Sequence, residues 1–179
     1  MNLLYNVPMG TTKEFNTVIE IPKESNHKYE YNPELETFEL DRILLPAMRY
    51  PGNYGFFPNT LAGDNDPLDA LLITNYPILP GTHVQVRIIG ALLTEDEKGQ
   101  DEKIIVVPID TIDKHFTDIN NYTDLEQIYL DKIEHFFKHY KHLEKDKWVR
   151  VSGYVDATTA ISIYHQSLQN FSKGEMAKT

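Results

Sequence analysis

"HVQVRIIGALLTEDEKGQDEKIIVVP", residues 83–108, decides the architecture. His83–Leu93 and Lys103–Pro108 are strand-like and apolar, and the polar turn Thr94–Glu102 divides them. Further strands lie on either side. "TVIEI" (17–21) and "KYEYN" (28–32) are separated by a polar turn, and Phe38 and Leu40 then alternate about Glu39. "LDALLI" (68–73) has the character of a buried strand, and "WVRVSGYV" (148–155) alternates again. Strands this numerous and short predict a small barrel or sandwich. "YPGNYG" (50–55) reads as a turn kinked by Pro51 and Gly52.

Two helices accompany the strands. Leu125, Ile128, Tyr129, Ile133, Phe136, Phe137, Tyr140 and Leu143 recur at helical spacing, and Thr123 with Glu126 has the pattern of a capping box. Nearer the C-terminus, Ala157, Ala160, Ile161, Tyr164, Leu168 and Phe171 form a second stripe. Asp156 stands at the N-cap position and Gly174 after the expected end, so "KGEMAKT" (173–179) is expected to fray. The fold class is α+β, a β core with a few packed helices.

The totals narrow the function. A chain of 179 residues suits one domain, 1–179, with a real core. The net charge of −10 disfavours a phosphate-backbone partner and fits a protein that gathers cations. Cysteine is absent, which excludes thiolate metal sites. No apolar run is long enough to span a bilayer, and "MNLLYNVPMG" lacks the basic and apolar parts of a secretion signal; the expected location is cytoplasmic.

"GDNDPLDALL" (63–72) crowds Asp64, Asp66 and Asp69 together. Carboxylates about 5 Å apart at an effective dielectric near 20 repel by roughly 3 kcal/mol per pair. Divalent cations, nearby Lys and Arg, or water on an exposed turn could offset that. An EF-hand loop fails, because Asp69 stands where the loop needs Gly. Pro67 stiffens the turn, and strand alternation points Asp69 with Leu71 and Ile73. Two loop carboxylates facing a strand-anchored one would make an oxygen cage suited to Mg²⁺. A solvated acidic turn fits the same residues.

The other polar groups are as ambiguous singly. Asp96, Asp101 and Lys103 lie at the 94–102 hairpin, Lys28 and Glu30 share a strand face, and Glu20 sits mid-strand among apolar residues. Arg42 follows Asp41, and Tyr140 and Lys141 end the first helix. His135, His139 and His142 share a flank of that helix. They suit a metal site or, in the preferred reading, a subunit contact loosened by protonation below about pH 6.5.

Together these motifs resemble the bacterial soluble inorganic pyrophosphatases of the Mg²⁺-dependent family I. "DNDPLDA" (64–70) fits the family signature position by position. "EIP" with Glu20, "KYE" with Lys28 and Glu30, "DR" with Arg42, "YPGNYG", "DEKGQDEK" and "HFFKHYKHLEKDKW" follow in order. The resemblance implies an OB-like five-stranded β-barrel with peripheral strands and two main helices, a homohexamer, and hydrolysis of pyrophosphate with three to four Mg²⁺ ions per site. It implies Asp64, Asp69 and Asp101 as ligands of the tightest ion, Asp69 also bridging to a second. Asp96 would join Asp101 on a further ion, and Glu20 and Glu30 would bind through water. Lys28, Arg42, Tyr54, Lys103, Tyr140 and Lys141 would hold the phosphates, Asp66 would be the general base with Arg42 and Tyr54 assisting catalysis, and Tyr50 and Lys147 would give support.

Two other functions compete. A non-catalytic divalent-cation-binding OB-type module does not account for Lys28, Arg42, Lys103 and Lys141 at family spacing. A nucleic-acid-binding OB fold conflicts with the net charge of −10.

Overall fold

The computed structural model describes residues 1–176. A four-residue helix, α1 (Leu3–Asn6), precedes β1 (Phe15–Ile21), β2 (His27–Asn32), β3 (Thr37–Ile43), β4 (Asn53–Phe56) and β5 (Asp69–Leu72). Then come β6 (His83–Asp96), the short β7 (Gly99–Gln100), β8 (Lys103–Pro108), α2 (Gln127–His139), β9 (Val149–Asp156) and α3 (Ala157–Met176). Two 3-10 turns, Lys114–Phe116 and Tyr122–Asp124, lie between β8 and α2.

Strands β1, β4, β5, β8 and β6 pair in that order, and β6 returns to pair with β1, so five strands close into a ring. This is the OB-like core that the family resemblance implies. β9 and β7 extend it from β6, while β2 and β3 form a separate two-stranded arm. Ring strands β1, β4, β5 and β8 are covered on both faces, β8 along its whole length, while β6 is exposed on one face at its start. Leu71, Ile105 and Val107 join one apolar cluster with Ile133, Phe136 and Phe137 of α2. Their strand neighbours Ala70, Leu72, Ile104 and Val106 join another with Ala160 and Tyr164 of α3. Each large side chain buried this way contributes roughly 1.5–3 kcal/mol.

The structure corrects several expectations. "YPGNYG" is not only a turn, because Asn53–Phe56 is the ring strand β4. Its glycine marks a close approach of backbones. A Cβ on Gly55 would stand 1.8 Å from the Val18 carbonyl oxygen of β1. The stripe of α2 is narrower than predicted: Ile128 and Leu143 are 52% and 65% exposed, and Leu130 is buried instead. Thr123 and Glu126 do not cap α2. The Asp124 carboxylate accepts from the backbone N–H groups of Asn120 and Asn121, at 2.9 and 2.8 Å, and so fixes the turn before the helix. Asp156 does cap α3, accepting from the Thr159 N–H at 2.8 Å. Gly174 lies inside α3 rather than after it, so 173–176 are helical where fraying was expected; residues 177–179 lie outside the described residues.

Candidate active site

The parallel pairing of β5 with β8 sets Asp69 beside Lys103, the first residue of each strand. Lys103 Nζ lies 2.5 Å from Asp69 Oδ2 and 3.0 Å from Tyr54 Oη, and also contacts Asp101 Oδ1. Tyr54 donates to the same Asp69 oxygen at 2.5 Å. The pairing of β4 with β5 sets Tyr54 opposite Leu71, one step along the same face from Asp69. Asp101 is anchored through its backbone, its N–H donating to the Thr94 carbonyl at 3.0 Å and its own carbonyl accepting from the buried Thr94 hydroxyl. Lys103 is only 2% exposed, so its charge is compensated within the protein.

The 63–68 turn supplies the next two carboxylates. Asn65 has φ of 69°, a left-handed conformation that Asn tolerates. Asp64 Oδ1 accepts from the Asp66 N–H at 3.1 Å, closing the turn. Asp66 projects into solvent, with Lys98 Nζ 3.1 Å from its Oδ2.

Glu20 enters through a bulge. Ile19 pairs with Gly55 and Ile21 with Tyr54, so Glu20 is the extra residue of β1 and is re-aimed. Its Oε1 accepts from the Tyr31 N–H of the arm at 2.7 Å. A second bulge shapes the arm itself. Lys28 faces Arg42 and Tyr29 faces Leu40, which leaves Asp41 as the extra residue. Two cations directly opposed would repel. The Asp41 carboxylate bridges them, 3.3 Å from Lys28 Nζ and 2.6 Å from Arg42 Nη1, and Lys28 also pairs with Glu30. Arg42 Nε lies 2.9 Å from Glu144 Oε1, whose other oxygen is 3.3 Å from Lys147. At the end of α2, Lys141 Nζ reaches Asp96 Oδ2 at 2.5 Å, and Tyr140 is buried against Phe136 and Phe137.

Apart from Glu144, these charged groups line one cavity of about 520 Å³, in which nine carboxylates face six cationic side chains. Each residue assigned to chemistry by the resemblance lines it: Glu20, Lys28, Glu30, Arg42, Tyr54, Asp64, Asp66, Asp69, Asp96, Asp101, Lys103, Tyr140 and Lys141. Lys147 lines it too, whereas Tyr50 is buried behind Tyr54, with ring centroids 5.3 Å apart. Sequence reasoning missed Glu144, Asp41 as a bridge, and Lys98. Lys98 lies inside the quoted acidic hairpin, so its charge was in view. Glu144 lies inside the quoted "HFFKHYKHLEKDKW", but nothing in that stretch gives it a role, because its partner Arg42 is distant in sequence.

The electrostatics show what the cavity asks for. Burial pushes the Glu20 carboxyl up to about 8. Burial lifts Asp69 as well, although the Lys103 ammonium opposes it, and Asp64 is raised for the same cause. Burial also acts on Asp101, but there Lys103 and its hydrogen bond prevail and hold the carboxyl below its ordinary range. The cavity therefore has more buried carboxylate than its own cations satisfy. Its donors are all oxygen, the set that hard divalent cations take. Among the described residues no three Asp, Glu or His side chains converge as a ready-made cage; Lys103 holds Asp69 and Asp101. A cation bound by those two oxygens would compete with this ammonium, so the residues fit hard divalent ions as ligands that exchange partners.

Comparison with known proteins gives one answer. A profile of the inorganic pyrophosphatase family matches residues 17–172. The inorganic pyrophosphatase of Sulfolobus acidocaldarius is 47% identical over 160 residues, 89% of this chain and 92% of that one. The enzyme of Campylobacter jejuni is 46% identical over 158 residues, covering 88% and 92%. The crystal structure of the inorganic pyrophosphatase from Thermus thermophilus superposes with a TM-score of 0.91 at 43% identity, covering 96% of this chain and 99% of that one.

Proposed function

The chain belongs to the family I soluble inorganic pyrophosphatases and hydrolyses pyrophosphate to two phosphates, and we propose that Asp66 is its general base and that its cofactor is Mg²⁺. Members of this family are metal-dependent. The observation that carries the reading is the mixture of charges in one cavity: carboxylates in excess at the ring end, cations around them.

Asp64, Asp69 and Asp101 would hold the tightest ion, Asp69 would bridge to a second, Asp96 would join Asp101 on a further one, and Glu20 and Glu30 would act through water. When bound, three to four Mg²⁺ ions would neutralise the acidic wall toward an anionic substrate and acidify the attacking water. Lys28, Arg42, Lys103 and Lys141 fix the two phosphates by charge, and Tyr54 and Tyr140 by their hydroxyls. Asp66, exposed at the rim, accepts the proton that the attacking water loses. Arg42 and Tyr54 face the charge that develops as the phosphoanhydride bond breaks. Glu144 holds the Arg42 guanidinium from behind, and Tyr50 packs behind Tyr54.

The same reading takes residues 1–179 as a single domain, cytoplasmic and assembled as a homohexamer. Exposed Leu40, Ile43 and Leu45 offer apolar surface for self-association, and sedimentation of the purified chain checks the assembly. Among the described residues no helix is long and apolar enough to cross a membrane. The non-catalytic cation-binding alternative draws no support from the three relatives compared above, each named as an inorganic pyrophosphatase. The deciding experiment is phosphate release from pyrophosphate. Release in Mg²⁺ that stops with a chelator is expected, and release indifferent to the chelator would overturn the metal assignment.

A further inference from the structure

Asp66 is fixed firmly through its main chain and by a single group through its side chain. Its N–H donates to Asp64 Oδ1 at 3.1 Å, and its carbonyl accepts from the Ala62 N–H at 2.8 Å. Among the described residues only Lys98 holds its carboxylate, with Nζ 3.1 Å from Oδ2. The other cations of the cavity are engaged elsewhere: Lys103 with Asp69 and Asp101, Lys141 with Asp96, Arg42 and Lys147 with Glu144, and Lys28 with Glu30 and Asp41. The fold brings Lys98 to Asp66 by backbone contacts. Pairing of Asp96 with Gly99 makes Glu97 and Lys98 the two residues of the β6–β7 turn, and the Lys98 N–H donates to Asp96 Oδ1 at 2.8 Å. The hairpin lies directly on the 63–66 turn, where a Cβ on Gly63 would stand 3.1 Å from the Gln100 carbonyl oxygen.

We propose that Lys98 is a positioning residue for the reaction: its ammonium holds Oδ2 of Asp66 and so presents Oδ1 to the attacking water. The inference rests on the base role given to Asp66 above. Proton transfer needs a carboxylate oxygen within hydrogen-bond reach of the water. The terminal torsion of an aspartate is broad, so an unheld carboxylate at the rim turns freely. An ammonium on one oxygen restricts that rotation and leaves the lone pairs of the other for the proton. Small errors in the placement of a reacting group are costly in rate. Lys98 itself neither gives nor takes a proton; the water loses one to Oδ1 as its oxygen attacks phosphorus. At 60% exposure Lys98 is the most exposed of the six cavity cations, so its substitution leaves no buried charge unpaired.

The test is a double-mutant cycle on pyrophosphate hydrolysis at saturating Mg²⁺, with the unsubstituted chain, Lys98→Met, Asp66→Asn and the double variant. Lys98→Met should lower turnover about fivefold with the Michaelis constant little changed, the rate equivalent of the most that an exposed ion pair contributes. In the Asp66→Asn background the same substitution should change nothing, because no base is left to position. Lys98→Arg should restore most of the turnover, since its guanidinium also donates to a carboxylate oxygen. Calorimetric Mg²⁺ binding separates this from a merely structural role. Removing a cation from an acidic wall does not by its charge weaken Mg²⁺ binding, so weaker binding by Lys98→Met would mean that the hairpin carrying Asp96 and Asp101 had been disturbed, and would overturn the inference. A rise in the Michaelis constant alone, which makes Lys98 a substrate contact, or an equal loss of turnover in both backgrounds would overturn it too. Near-normal turnover by Asp66→Asn is a different failure: it removes the base reading, and the inference with it.

Discussion

The cavity wall holds its charges in two different ways. At the ring end, Lys103, Asp69 and Asp101 sit on or beside central strands whose register is fixed by apolar burial on both faces. In the arm, Lys28 and Arg42 stand on a two-stranded hairpin outside the ring and are held by Asp41 and Glu144. Charge at the ring end is inseparable from stability, because removing one member leaves the others buried without a partner. Charge in the arm is wetter and more screened, so it is available to a ligand at small structural cost. A phosphate-binding site gains from both: a rigid seat for cations and a compliant set of donors for the substrate.

Asp66 belongs to neither and gives the largest expected effect. Asp66→Asn should lower turnover by about 10² to 10⁴-fold, the range for loss of a positioned general base. Its melting temperature should stay put, because the Lys98 pair it loses is exposed. Near-normal turnover at neutral pH would remove Asp66 from the base role. Next, Lys103→Met and Arg42→Ala should each reduce turnover by about 10² to 10³-fold, by analogy with loss of one transition-state donor. Their stabilities should separate them. In a chelator, Lys103→Met should lose about 3–5 kcal/mol on denaturant unfolding, and Arg42→Ala under about 1 kcal/mol. Mg²⁺ should then restore more stability to Lys103→Met than it adds to the unsubstituted chain, because Asp69 and Asp101 are freed to bind it. Equal destabilisation by the two substitutions would end the distinction between ring end and arm.

Glu144 tests whether the arm needs holding. Glu144→Gln keeps the shape and removes the charge that faces Arg42 Nε. The contact is an ion pair without hydrogen-bond geometry and is worth no more than about 1 kcal/mol, so turnover should fall about fivefold while the Michaelis constant changes little. A rise in the Michaelis constant alone would make Glu144 part of substrate binding rather than a positioning residue.

The two regions also differ in how far they could be read in the sequence. Most ring strands announce themselves by apolar alternation, and the acids of 64–69 and 96–101 by their motifs. β4 was hidden because Pro51, Gly52 and Gly55 look like turn residues, although Gly55 serves the backbone contact with Val18. The bulges at Glu20 and Asp41 were hidden for a different reason. A bulge breaks the period of two on which strand reading depends, so the side chains it re-aims cannot be placed by counting. Glu144 depends on the approach of the segment after α2 to the arm, which no local pattern encodes. The carboxylates proposed as ligands were legible as a set, but the ammonium that holds two of them emerges only from the parallel register of β5 and β8.

The smallest expected effect examines the arm's bridge by pH. Burial pushes the Asp41 carboxyl up, but Lys28 and Arg42 outweigh it and hold the group below its ordinary range. A carboxylate with a depressed folded value stabilises the fold above its unfolded pKa of about 3.9, and that contribution is lost as pH falls through the folded value. Asp41→Asn should therefore melt below the unsubstituted chain at neutral pH, by about 2–4 °C for a partly exposed pair worth no more than about 1 kcal/mol. The two melting curves should keep that separation down to about pH 4 and converge only in stronger acid. A separation that is unchanged at pH 3 would mean that Asp41 acts through packing. One that closes already near pH 6 would mean that the two cations do not hold it.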